Sequence, residues 1–184
     1  WCREHIDEVF GMPDFDDPAA LLRAEHEARE GRSPEAALGE ARLIGLGEAS
    51  HGSREFFQLK HRLLEWLVSE RGFNVFAIEA TMPEAFDLNE YVLTGRGDPQ
   101  KALAGLYFWT WDTEEVLDLI RWMRKWNSDP KHPKVKFYGF DMRQMPRAAQ
   151  VVRAYLERVN KGEAATWTTQ LSPLANELDV RAVA

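Results

Sequence analysis

Three short apolar runs, each closed by an acidic residue and separated by stretches of helical periodicity, restrict this chain to one class of fold. The runs are Arg42–Gly47 before Glu48, Val75–Ile78 before Glu79, and Val135–Phe140 before Asp141. Each is too short for a helix and reads as a buried strand. Between the first two, Ser53 is placed to cap a helix that carries Phe56, Phe57, Leu59, Leu63, Leu64, Leu67 and Val68 on one face, with Gly72 closing it. Thr81 with Glu84 predicts a capping box for the next helix, through Leu93, and Asp98-Pro99 starts a short one. Asp112 with Glu115 predicts a second box, opening a helix with Val116, Leu119, Ile120, Met123 and Trp126 inward. A last amphipathic helix follows Pro146 and stops near Gly162. Upstream, shorter helical patterns cover residues 19–30 and Ser33 to Leu38. Strand–helix–strand units of this kind are parallel and right-handed. The expected fold is therefore α/β, a largely parallel central sheet flanked by helices.

Composition narrows the function. Hydrophobic residues make up 45% of the 184, with 7 Trp and 10 Phe, which is enough for a core and excludes intrinsic disorder. The net charge of −7, without a Lys/Arg-rich block, argues against nucleic acid or an anionic membrane surface as partner. No apolar run approaches the ~18 residues of a membrane helix, and no signal segment opens the chain, so a cytoplasmic protein is expected. One cysteine, Cys2, excludes an internal disulfide and a multi-cysteine zinc site. The chain begins at Trp1 and stops at Ala184 inside an apolar–polar pattern. Residues 1–184 are expected to form a single domain that is the N-terminal part of a longer one. Oligomeric state is not legible.

In open α/β sheets, sites form past the carboxyl ends of the strands. Parallel strands would bring Glu48, Glu79, Asp141 and His51 to one rim. An acid after a strand often just caps the next helix, but Ser53 and Thr81 are better placed for that work. The segment Gly47-Glu48-Ala49-Ser50-His51-Gly52 admits four readings. The glycine spacing of Gly45, Gly47 and Gly52 does not fit a dinucleotide fingerprint, and Glu48 would oppose a pyrophosphate. Ser50 is displaced by one position from a nucleophile elbow, and His51 beside it is badly placed to serve as its base. Glu48-x-x-His51 has a metal-ligand spacing, so a divalent ion could be held, although the chemistry requires none. In the fourth reading His51 is a general base for water, oriented by Glu48 or Glu79. Lys60 and Arg54, on the following helix, are then candidate cations for the substrate oxyanion, with a solvated helix face as the plainer alternative. Trp109 and Trp111, within the aromatic run Tyr107–Trp111, could wall a cleft for a bulky apolar ligand, or simply fill the core.

Taken together, Leu46–Phe57, Val75–Ala80 and Tyr138–Asp141, in that order and spacing, resemble the erythromycin esterase family, most clearly over residues 36–144. The resemblance implies an α/β hydrolase that opens macrolide lactones with activated water. It implies His51 as base, accompanied by Glu48 and Glu79, and Lys60 where resistance enzymes carry arginine. A lysine keeps the charge and loses the bidentate fork. Family members are much longer and carry further active-site histidines in their second half. The implied partner is a small-molecule ester or macrolactone, with no cofactor required. A different class stays open: a metal- or porphyrin-binding protein that uses the same carboxylate and histidine cluster without turnover.

Overall fold

The computed structural model describes residues 39–142 and 145–175, and the helical patterns expected over 19–38 lie outside them. The chain divides into two compact units between His51 and Gly52. In the first unit, the described residues are loop and turn. The second unit carries α1 (Arg54–Arg71), β1 (Val75–Thr81), α2 (Met82–Thr94), α3 (Pro99–Ala104), a 3-10 turn (Trp109–Trp111), α4 (Glu114–Ser128), β2 (Lys136–Asp141), α5 (Met145–Val159) and α6 (Lys161–Ala175).

The fold is a helix-dominated α/β arrangement with a small parallel sheet flanked by helices. Among the described residues the sheet has two strands, not the three expected. Arg42–Gly47 joins no ladder, and Leu43 is 91% exposed. An apolar run specifies burial but not a partner, and extended backbone becomes a strand only when a neighbour takes its N–H and C=O groups. β1 and β2 do this for each other, in register from Val75 opposite Lys136 to Ile78 opposite Gly139.

The helices cover the sheet because their apolar stripes have nowhere else to go. From α1 come Phe57, Leu64 and Val68, from α2 Ala85, Leu88 and Val92, and from α4 Val116, Ile120 and Met123, all packed with Val135 and Phe137 of the second strand segment. Asn89 of α2 reaches the strand directly, its Oδ1 accepting from the Phe137 N–H at 3.0 Å. Asn127, at the end of α4, is buried in the same core. Its Nδ2 donates to the carbonyls of Val92 (3.0 Å) and Val135 (2.8 Å), and its Oδ1 accepts from the Val135 N–H (2.8 Å). One amide thus ties α2, α4 and the entrance to β2. Burying it without those partners would be unfavourable.

The helix ends differ in detail from the sequence expectation. Neither Ser53 nor Thr81 makes a side-chain cap bond, although each is the N-cap residue of its helix. The cap of α4 is Thr113, whose hydroxyl accepts from the Val116 N–H, one position beyond the expected Asp112. This frees Glu115 to pair with Arg54. The periodicity also predicts that the last helix stops near Gly162, whereas α6 continues from Lys161 to Ala175 and packs on α5. A start signal is present: Asn160 Oδ1 accepts from the Glu163 N–H, a capping geometry that Asn-x-x-Glu spacing allows. Among the described residues no helix is long and apolar enough to cross a membrane.

Candidate functional site

His51 and Glu48 are in contact in the first unit. The imidazole Nδ1 lies 2.6 Å from Glu48 Oε1, with the carboxylate largely buried and the ring half exposed. An ionised carboxylate can only accept, so a neutral His51 must place its proton on Nδ1. The Nε2 lone pair is then the basic one, and the ring cannot turn without losing the bond. Carboxylate-held imidazoles of this kind serve as general bases. The turn that follows needs its glycine: Gly52 has φ 76°, and a Cβ there would meet the Trp109 indole at 3.1 Å. Trp109 itself is exposed.

In the second unit the site residues gather around a fault in the sheet. Ile78 pairs with Gly139 and Thr81 with Asp141, so β1 spends three steps where β2 spends two. The extra residue falls at Glu79-Ala80, inside β1 rather than at its end as the sequence suggested. Bulges bend a strand and re-aim its side chains. The Ala80 carbonyl is thereby pressed onto Gly139, where a Cβ would come within 2.3 Å of the oxygen. Glu79 is half-buried, and its backbone carbonyl accepts from Trp111 Nε1 at 2.9 Å.

Trp111, expected as a possible cleft wall, is instead a buried support. It packs on Phe57 and Phe108 and holds the strand at Glu79. Lys60 Nζ stands 5.7 Å from the Phe57 ring and 5.9 Å from that of Trp111, within cation–π range of both. The structure thus brings Lys60, Trp111 and Glu79 together. Arg54 turns elsewhere: its Nε lies 3.1 Å from Glu115 Oε1, linking α1 to α4. Asp141 closes β2, level with Thr81.

Glu84, which the sequence offered only as a capping residue, is 3% exposed and lies near Arg147 and Asp87. Among the described residues its Oε2 has no hydrogen-bond partner. Burial pushes its carboxyl above the ordinary value of 4.5. A bond from its own backbone N–H and the Arg147 charge pull the other way, and Asp87 adds to the rise. A carboxyl whose folded pKa is raised stabilises the fold below its unfolded pKa and loses that contribution as pH climbs through the folded value. Thermal midpoints of the parent should therefore fall relative to Glu84→Gln as pH rises from 4.5 toward neutrality. Parallel curves for the two proteins would show that Glu84 does not titrate in this way.

Among the described residues, no group of three or more His, Cys, Asp or Glu side chains is arranged to hold a metal ion. Comparison with known proteins gives concordant results. The erythromycin esterase family model matches residues 68–183. That match begins inside α1, downstream of Glu48 and His51. Erythromycin esterase type II of Escherichia coli is 32% identical over 108 residues, covering 57% of this chain and 24% of that protein. A Bacillus cereus protein of known crystal structure superposes with a TM-score of 0.62 at 34% identity, covering 82% of this chain and 35% of the other. A succinoglycan biosynthesis protein gives 0.67 at 35% identity, with 77% and 36% covered. The chain thus spans about a quarter to a third of the length of these relatives.

Proposed function

Because this chain belongs to the erythromycin esterase family, we propose that it carries the water-activating part of a hydrolase that cleaves an ester or lactone. The observation that supports this most directly is the 2.6 Å contact between His51 Nδ1 and Glu48. With Nδ1–H committed to the carboxylate, Nε2 takes a proton from water as the water oxygen attacks the ester carbonyl carbon. The carbonyl oxygen becomes an oxyanion, and Lys60 is the cation proposed to stabilise it. Glu79 is the proposed second carboxylate in support of the imidazolium. The intermediate then expels the alkoxide, which recovers the proton from His51, leaving a carboxylic acid and an alcohol. No covalent acyl-enzyme forms and no metal enters any step. A macrocyclic lactone is the proposed substrate class, on the strength of the Escherichia coli relative, and the proposed compartment is the cytoplasm.

The reading is tested by assaying a panel of lactones and simple esters with and without chelator. Hydrolysis should proceed unchanged in chelator. Ser50→Ala should alter kcat by less than about twofold, since no nucleophilic serine is involved. A product burst with an adduct trapped on Ser50 would contradict the mechanism, and so would loss of activity on metal removal.

A further inference from the structure

Two helices leave the sheet at the same end, and a charged cluster braces them. Thr81 is level with Asp141, so α2 departs from β1 and α5 follows β2 on one side of the parallel pair. Arg147, in the first turn of α5, places Nη2 2.7 Å from Oδ1 of Asp87, 60 positions earlier on α2. Glu84 lies one helical turn before Asp87, on the same face of α2. Its side chain is buried, and among the described residues its Oε2 has no hydrogen-bond partner. Two carboxyl groups thus stand near one guanidinium, with an oxygen of the buried one left over. The charges that act on Glu84 are those of Arg147 on α5 and Asp87 on its own helix, and Tyr107, from the loop after α3, acts in turn on Arg147. A polar tie matters for α5 because little apolar burial holds it. It packs on α6 and on α2, yet Ala149 is its one buried residue among those described, while Val152, Tyr155 and Val159 stay exposed. Segments with so few buried apolar contacts open first.

We propose that Glu84, Asp87 and Arg147 form a pH-dependent clamp that fixes the start of α5 against α2. With Glu84 protonated, Arg147 is held by Asp87 alone. When the proton leaves Glu84, the buried carboxylate draws on the same guanidinium, whose N–H fork can serve both acids at once. Arg147 favours that ion only while α5 is in place, so proton loss is linked to docking of α5. The new charge also costs the fold as a whole, because burial opposes it. Ionisation therefore weakens the global fold while tightening one joint, a pair of opposite signs that an ordinary buried acid does not give. The joint follows Asp141 in the chain, so it governs how firmly that end of β2 is held. The clamp needs no substrate and stands whether or not the chain cleaves esters.

Amide hydrogen exchange of α5, read by mass spectrometry from pH 4.5 toward neutrality, compares the parent with Glu84→Gln at each pH. The two should agree at the acid end. Toward neutrality, α5 of the parent should become about two- to fivefold better protected than that of the variant. Over the same range the parent's thermal midpoint should fall relative to the variant's. In an Arg147→Gln background the exchange difference should vanish. In an Asp87→Asn background it should persist, since Glu84 then has the guanidinium to itself. Circular dichroism verifies that each variant folds. Equal protection of α5 at every pH, or protection that falls in step with the midpoint, overturns the clamp. So does a difference that survives Arg147→Gln, or one that disappears with Asp87→Asn.

Discussion

His51→Ala lowers kcat/KM for ester hydrolysis by about 10²- to 10⁴-fold, the range lost when a positioned general base is removed. The fold should be unaffected, because His51 lies half exposed in a turn and is bonded to a residue only three positions away. Circular dichroism and thermal midpoint matching the parent would establish that. Added imidazole should restore part of the activity by supplying the missing base in solution. Glu48→Gln is informative beside it. The amide keeps an oxygen acceptor for Nδ1–H but not the negative charge that stabilises the imidazolium, so the loss should be smaller than for His51→Ala yet in the same parameter. An alanine variant that hydrolyses lactones at the parental rate would remove His51 from the mechanism, and with it the role assigned to Glu48.

Gly139→Ala should cost about 3 kcal/mol or more of folding stability, near or beyond the upper end of ordinary overpacking. The obstacle is the Ala80 carbonyl at 2.3 Å from the added Cβ, followed by its carbon at 2.9 Å and the Thr81 carbonyl at 3.0 Å. All three belong to backbone of the paired strand, so no rotamer change relieves them. The strands must separate or the bulge must vanish, and either outcome moves Glu79. Urea midpoints measure the cost. Gly45→Ala is the control, because among the described residues nothing lies within 4 Å of the methyl it would gain, and its change should stay within about ±0.5 kcal/mol. Equal midpoints for Gly139→Ala and the parent would mean that the close approach at the bulge does not constrain the sheet.

The amino-acid sequence was most informative where one element's pattern is sufficient by itself. Helical stripes such as Phe57–Leu64–Val68 and Val116–Ile120–Met123 pointed to buried faces, and Val75–Ile78 and Phe137 marked the strands that do pair. It was least informative where a partner decides the outcome. Arg42–Gly47 has the residues of a strand and no ladder among the described residues. The bulge at Glu79-Ala80 depends on two strands about 60 residues apart, and nothing in either alone announces it. At the candidate site, the Glu48–His51 spacing allowed a contact, whereas Lys60 two turns into α1 was equally readable as part of a solvated helix face, and only packing puts its Nζ within reach of the Trp111 ring. Arg54 carries the same charge as Lys60 but sits at the start of α1; its pairing with Glu115 of α4 is decided by contact between the two helices, which neither sequence segment alone announces. The burial of Glu84 and of Trp111 is likewise a product of packing between elements.

The long excursion between β1 and β2 also has a bearing on synthesis. Val75 pairs with Lys136, so about 60 residues must leave the ribosome after the first strand before its partner exists. At roughly 5–20 residues per second, β1 waits on the order of 3–12 s with both hydrogen-bonding edges open. During that interval α1 is available to shelter it from the start and α2, α3 and α4 follow in turn, and α2 brings Asn89, the side chain that later satisfies Phe137. A nascent chain stalled before residue 136 would therefore present an unpaired Val-Phe-Ala-Ile strand, the form most open to capture by chaperones or by another copy.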